Sequence, residues 1–207
     1  MNSYLPEVDY AFLEEFLVRL LNTPSPTGFT EQAIALVQGA LEALPGLSLR
    51  RTRKGALLAT LHGPEAEPVR ALTAHVDTLG AMVKSIKPNG RLALTAIGGF
   101  AWGSLEGEGC TVFTQAGGTV RGSLLPNHAS VHVYTDVKDA KRDAENMEVR
   151  LDARTASMDE TRGLGIEVGD FVAFDPRVER TNGFVRSRHL DDKACAAVLV
   201  AALQAPP

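Results

Sequence analysis

The sequence has few of the residues that mark a secreted, nucleic-acid-binding or membrane-embedded protein. Its 207 residues include only two cysteines, Cys110 and Cys195, with no CxxC spacing, which excludes a disulfide framework and a thiolate zinc cluster. The net charge of -4 argues against a nucleic-acid partner, because neutralising phosphates requires a basic face. The longest apolar run, Ala194 to Leu203, is too short to span a bilayer. With no signal-peptide pattern at the N-terminus, a globular cytoplasmic protein is expected.

Nucleotide-binding motifs are also missing, although glycine is dense between Gly98 and Gly118. No GxGxxG or Walker spacing follows a strand and opens a helix, so the sequence does not support a nucleotide site. Hydrophobic residues make up 44% of the chain, which is enough for one core and a smaller module.

The first 80 residues follow an α/β pattern. Apolar residues recur at helical spacing from Leu5 to Leu20, and a second helix is predicted to begin at Thr30, with the threonine hydroxyl capping its free amides. Three strands are predicted next, at Leu47 to Thr52, Ala56 to Leu61 and Val69 to Ala74. This order favours an α/β layer with a buried sheet.

After Gly80 the pattern changes to short strands separated by turns, which indicates a β-rich, barrel-like module inserted into the α/β domain. Lys138 to Glu148 is polar and is predicted to be a mobile loop, and Thr155 to Gly163 a short helix. The expected domains are residues 1–80 with 175–207, and residues 81–174. The strands predicted in and after this module are Met82 to Ile86, Leu92 to Ala96, Thr111 to Thr114, Thr119 to Leu124, Val131 to Tyr134, Phe171 to Phe174, Arg177 to Arg180 and Phe184 to Ser187.

Two polar clusters are candidate sites. His75 and Asp77 leave the end of the third predicted strand on the same side, which would suit a metal ligand and a carboxylate that orients its imidazole. Asp191 and Asp192 open an alanine-rich helix predicted at Lys193 to Gln204. Both have simpler interpretations, since polar residues at a strand end can meet solvent and acidic residues cap helices. Cys195 is expected to be a small core residue of that helix.

Three motifs in order resemble one family. The segments Thr23 to Gly28 (TPSPTG), Ala74 to Gly80 (AHVDTLG) and Arg188 to Cys195 (RHLDDKAC) are similar to the tetrahedral, or glutamyl, aminopeptidases, sometimes labelled endoglucanases. The resemblance implies a zinc-aminopeptidase-like α/β catalytic domain interrupted by a small β-barrel-like dimerisation domain. It also implies an aminopeptidase with two divalent ions, zinc or cobalt and possibly manganese, which attacks peptides with a metal-bridged hydroxide. Family members assemble as dimers into dodecamers.

The resemblance assigns roles to four residues. His75 would ligate one metal, and Asp77 would be the catalytic carboxylate that holds His75 in its tautomer. Asp191 would bridge the two metals, and Asp192, after an unusual peptide bond, would support the site. His128 and His132 are a weaker alternative metal pair, because their spacing suits a helix whereas their neighbours indicate a strand.

The chain departs from the family after Asp192. The general base, the other ligands and the late histidine of the family have no counterpart, since no acidic residue follows Asp192 and no histidine follows His189. The chain is therefore expected to be the N-terminal portion of such an enzyme. Two functions remain open: part of a metalloaminopeptidase site, or a non-catalytic fragment for self-association or binding.

Overall fold

The computed structural model describes residues 7–62 and 70–204, and the chain divides into two compact units. The first unit comprises residues 1–78 and 176–207, and the second comprises residues 79–175. The predicted α/β class with a barrel is confirmed. None of the described helices is long and apolar enough to cross a membrane.

In chain order, the helices are α1 (Tyr10–Leu21), α2 (Glu31–Glu42), α3 (Met158–Gly163) and α4 (Leu190–Gln204). The strands are β1 (Leu47–Arg51), β2 (Leu57–Leu61), β3 (Gly80–Ile86), β4 (Leu92–Ile97), β5 (Gly109–Phe113), β6 (Thr119–Pro126), β7 (Met147–Leu151), β8 (Phe171–Phe174), β9 (Glu179–Thr181) and β10 (Phe184–Arg186).

In the first unit, helices α1, α2 and α4 share a hydrophobic core with the β1–β2 hairpin. Amphipathic spacing places one apolar stripe of each of α1 and α2 in this core. The Asp9 side chain accepts a hydrogen bond from the backbone N–H of Phe12 and so caps α1. Thr30 precedes α2 but makes no side-chain capping bond, so the predicted threonine cap is wrong. The buried residues are Phe16, Leu20, Ala33, Leu41, Val76, Ala196, Ala197 and Val200.

The third strand predicted in this unit is not formed. Val69 lies outside the described residues, and residues 70–77 have no strand assignment. A strand requires a ladder of hydrogen bonds to a neighbour. Among the described residues, the sheet of this hairpin contains only β1 and β2, and residues 70–77 pair with neither strand. Their apolar composition was therefore not sufficient to form a strand.

Lys193 anchors the start of α4 to the end of α1. Its side chain is fully buried, and its ammonium donates to the carbonyl oxygens of Leu20 at 2.8 Å and Thr23 at 2.6 Å. These carbonyls lie at the C-terminal end of α1, where the helix leaves acceptors without partners. Burial lowers the pKa of Lys193 to about 8. Nothing in the sequence distinguishes this lysine from a solvated one.

The second unit is a closed antiparallel barrel with the strand order β3-β4-β7-β6-β5-β8. Alternating residues fill its interior, including Leu94, Val112, Leu124 and Val172. Gly122 in β6 is required by close packing, because a Cβ there would lie 2.7 Å from the Val149 side chain.

Three predictions about loops and strands need correction. Val131 to Tyr134 forms turns rather than a strand, and Val131 and Val133 are exposed and pair with no neighbouring strand. Met147 and Glu148, predicted to lie in a loop, belong to β7. The strand predicted at Arg177 to Arg180 begins only at Glu179.

The buried Glu148 explains why the sequence pattern did not predict strand β7. Its side chain is only 3% exposed, yet it accepts a hydrogen bond from the ammonium of Lys87 at 2.7 Å and another from the guanidinium of Arg91. A buried carboxylate is tolerated when it is paired and hydrogen-bonded. A strand that contains one therefore looks like a polar loop in the sequence.

We predict that Glu148→Ala lowers the free energy of unfolding by about 2–4 kcal/mol, because it leaves two partly buried cations without their carboxylate. Urea unfolding followed by circular dichroism measures the loss. Glu145→Ala is the matched control, since the Glu145 ion pair with Lys84 is well exposed. The control should cost less than about 1 kcal/mol. Equal losses for the two variants would contradict this role of Glu148.

Candidate metal centre

The TPSPTG loop supports the segment that carries His75 and Asp77. Buried Ser25 donates its hydroxyl to the Val76 carbonyl oxygen at 2.6 Å, and the N–H of Thr78 donates to the Ser25 carbonyl oxygen at 2.8 Å. Pro26 and Thr78 form a parallel bridge. Segment 74–78 therefore owes its position to the loop rather than to a sheet.

Asp77 connects this loop to the imidazole of His75. The Thr27 hydroxyl donates to Asp77 Oδ2 at 2.6 Å, and Asp77 Oδ1 lies 3.1 Å from His75 Nδ1. The backbone carbonyl oxygen of Asp77 also lies 3.3 Å from Nδ1. Acceptors at Nδ1 fix the ring orientation and leave Nε2 available, which is the usual arrangement of a metal-binding histidine. The two residues predicted from the HxD spacing therefore meet, although they do not lie on a strand.

Asp191 faces the other nitrogen of the same imidazole. Its Oδ1 lies 3.3 Å from His75 Nε2, and the Asp191 side chain is 96% exposed. The backbone of Asp191 is non-helical, with φ -85° and ψ 110°, which turns it away from the regular helix that follows. The structure thus brings His75, Asp77 and Asp191 into one line of contacts.

Asp192 is linked to Asp191 by a cis peptide bond and holds two segments together. Its Oδ2 accepts from the backbone N–H of His75 at 3.4 Å. The hydrogen bond from the Cys195 thiol is the main cause that lowers the pKa of Asp192. Asp192 thus links segment 74–78 to the start of α4.

The remaining candidates lie elsewhere. His128 Nδ1 is 3.2 Å from Asp136 Oδ2, and its ring stacks on Tyr134 at 4.1 Å. Across residues 7–62 and 70–204, no group of three or more His, Cys, Asp or Glu side chains is placed to share a metal ion. Cys195 is exposed, so the prediction that it is a core residue is wrong.

Sequence reasoning did not assign roles to Ser25 or Thr27. The TPSPTG motif identified the loop, but the sequence does not indicate which residues its hydroxyl groups contact. Ser25 and Thr27 contact residues about fifty positions away. A contact of that sequence separation has no local signature.

Comparisons with solved structures show the fold. A TET aminopeptidase from a marine-sediment Thaumarchaeota archaeon aligns with a TM-score of 0.80 and 23% identity, covering 92% of this chain and 52% of that one. The TET1 dodecamer structure, PhTET1-12s, gives a TM-score of 0.78 and 22% identity, covering 92% of this chain and 54% of that one. At this identity the likeness concerns architecture alone.

Sequence comparisons show the family. The chain belongs to the M42 glutamyl aminopeptidase family, and the sequence model of that family matches residues 55–206. A putative aminopeptidase, YhfE of Bacillus subtilis, is 50% identical over 187 residues, which cover 90% of this chain and 54% of that protein. The lysyl aminopeptidase of Pyrococcus furiosus is 24% identical, covering 91% of this chain and 53% of that protein. The chain spans about half the length of these relatives.

We predict that Ser25→Ala lowers the free energy of unfolding by about 1–3 kcal/mol, because it removes the hydroxyl donor from a buried carbonyl oxygen. Chemical denaturation monitored by circular dichroism provides the measurement. Ser48→Ala, which removes an exposed hydroxyl 3.0 Å from His62 in the same unit, is the control. It should change stability by less than about 0.5 kcal/mol. A neutral Ser25→Ala would show that the loop does not support segment 74–78.

Proposed function

We propose that this chain carries part of the active site of a metal-dependent aminopeptidase, which removes N-terminal residues from peptides. Family membership and relatives named as aminopeptidases support the reaction class. The carrying observation is the line of contacts from Thr27 through Asp77 and His75 to Asp191. This line of contacts places the imidazole of His75 beside the exposed carboxylate of Asp191.

The donor set fits a divalent cation. Zinc bonds to imidazole nitrogen and carboxylate oxygen at about 2.0–2.2 Å, so two ligands on one tetrahedral edge are about 3.3–3.6 Å apart. His75 Nε2 and Asp191 Oδ1 are 3.3 Å apart, in agreement with this edge. We propose His75 as a ligand and Asp191 as the bridging ligand of two zinc, cobalt or manganese ions. When bound, such ions act as Lewis acids on the peptide carbonyl and activate water at neutral pH.

The residues of the chain divide the remaining tasks. His75 Nδ1 faces two acceptors of Asp77, the backbone carbonyl oxygen at 3.3 Å and Oδ1 at 3.1 Å, so Nδ1 carries the proton and the Nε2 lone pair is available for a metal. Thr27 holds the second oxygen of Asp77. Asp192 ties the His75 backbone to the start of α4 and so keeps the imidazole beside Asp191.

The number of donors favours a second possibility for the chain by itself. A catalytic zinc site usually has three protein ligands, whereas only two proposed donors converge among the described residues. Hydrolysis would then require further donors, and the chain alone would be a binding or self-association fragment. Metal binding and turnover are therefore separate measurements.

The barrel unit is proposed to mediate dimerisation. The sequence resemblance implies this role, and one structural neighbour is described as a dodecamer and another as a tetrahedron or octahedral shell. We expect the full chain to sediment as a dimer or larger particle in analytical ultracentrifugation at micromolar concentration. A strictly monomeric chain would contradict this proposal. The cytoplasmic location and the domain limits expected from the sequence stay predictions.

We predict that His75→Ala and Asp191→Ala each weaken Zn²⁺ or Co²⁺ binding at least about tenfold, because each removes a direct ligand. Titration calorimetry measures the affinity, and aminoacyl chromogenic substrates with added metal test for turnover. His128→Ala is a matched control, since it removes an imidazole from a different His–Asp pair. Unchanged binding in the two site variants, or equal loss in the control, would exclude the proposed ligands.

A further inference from the structure

A cavity of about 470 Å³ lies on the outside of the barrel unit. Its volume is in the range of small-molecule sites. Strands β6 and β7 form one wall, where the antiparallel register pairs Ser123 with Arg150 and makes their side chains neighbours on one face. That face is the outer one, because Val149 and Leu151, on either side of Arg150, belong to the barrel core. The lining includes Ser123, Leu125, Arg150, Asp152, Ala153 and Arg154.

Two guanidinium groups in this lining have no anionic partner. Arg150 and Arg154 are exposed, and within the described part of the chain neither side chain makes a hydrogen bond or an ion pair. Arg121, on the same face of β6, differs because its guanidinium donates to both carboxylate oxygens of Asp175 at 2.6 Å. Two cations beside one concavity favour an anionic ligand, and the guanidinium fork suits a carboxylate.

Asp152 adds one negative charge to the same lining. Its carboxylate is exposed and, like the two guanidinium groups, accepts no hydrogen bond from any residue that the structure describes. A phosphate dianion in the cavity would be repelled by this carboxylate, whereas a ligand with an ammonium group as well as a carboxylate would be attracted by it. Leu125 and Ala153 add apolar surface. The cavity therefore complements a carboxylate, an ammonium group and a small apolar side chain.

We propose that this cavity binds an α-amino zwitterion, which is an amino acid or a short peptide with free termini. Arg150 and Arg154 receive the carboxylate, and Asp152 receives the ammonium group. A peptidase releases molecules of the same class, so the cavity is a site at which a reaction product can bind the barrel. The inference uses residues of the barrel unit alone and does not depend on the proposed metal centre.

Binding is tested with the dipeptide Gly-Leu and with L-leucine on the full chain. Metal ions are first removed with a chelating resin, so that neither hydrolysis nor the proposed metal centre contributes. Ligand-observed NMR titration gives the dissociation constants, and comparing the two probes shows whether a peptide or an amino acid is preferred. Acetyl-Gly-Leu lacks the ammonium group and Gly-Leu amide lacks the carboxylate. Each should bind about fivefold or more weakly than Gly-Leu, because a charge-assisted hydrogen bond is lost.

Substitutions of the charged residues test the site from the side of the protein. We expect Arg150→Gln and Arg154→Gln each to weaken Gly-Leu binding about fivefold or more. Asp152→Asn should weaken Gly-Leu but strengthen acetyl-Gly-Leu, because it removes an attraction for the first ligand and a repulsion for the second. Arg162→Gln is the matched control, since it removes the same charge from the same unit outside the cavity, where Arg162 lies 3.9 Å from Glu167.

Ser123→Tyr fills the cavity and leaves all three charges in place. It should abolish Gly-Leu binding, and urea unfolding verifies that the variant is folded. Loss in this variant and in both arginine variants, with wild-type affinity in Arg162→Gln, supports the inference. If neither Gly-Leu nor leucine binds the wild-type chain, or if the blocked dipeptides bind equally well, the inference is overturned. Tighter binding of inorganic phosphate than of Gly-Leu also overturns it, because the cavity would then be a simple anion site.

Discussion

The site depends on the contact between segment 74–78 and the start of α4. His75 meets Asp191 through its side chain and Asp192 through its backbone, across a sequence separation of more than one hundred residues. Closing so long a loop costs conformational entropy, so a few exposed polar contacts cannot hold these segments together. The packing beneath the site must supply the stability.

That packing comes from two buried polar anchors and a shared core. Lys193 ties α4 to the carbonyl end of α1, and Ser25 ties the following loop to Val76. The Val76 side chain is itself part of the core formed with α1, α2 and α4. The residues on either side of Val76, by contrast, project their polar groups into the candidate site. The core and the site are therefore positioned by the same short segment.

Periodic patterns predicted most of the regular structure. The helices α1, α2 and α4 and the hairpins β1–β2 and β9–β10 followed from apolar spacing and turn residues, including Asn182 and Gly183 with positive φ. Predictions failed where a distant partner decides the outcome. Residues 70–77 lack a pairing strand, and β7 contains a carboxylate whose burial depends on Lys87 and Arg91.

The same distinction applies to the site. Residue types and spacing identified His75, Asp77, Asp191 and Asp192 as candidates, but they could not distinguish a ligand from a support. The proposed division rests on which carboxylate oxygens already accept hydrogen bonds from the protein. Asp77 accepts from Thr27 and faces His75, and Asp192 accepts from the backbone N–H of His75. The carboxylates of Asp77 and Asp192 thus already accept hydrogen bonds from the protein.

Asp191 differs from Asp77 and Asp192 because its side chain is almost fully exposed and its Oδ1 lies 3.3 Å from the imidazole Nε2 of His75. Asp77 and Asp191 lie at the imidazole of His75 and Asp192 at its backbone N–H, and carboxylates so close repel one another unless donors or a cation compensate their charge. Protein donors compensate Asp77 and Asp192, whereas Asp191 keeps oxygens open to solvent. A divalent cation placed beside His75 Nε2 would meet Asp191 first, so the hydrogen-bond pattern itself favours His75 and Asp191 as the ligand pair.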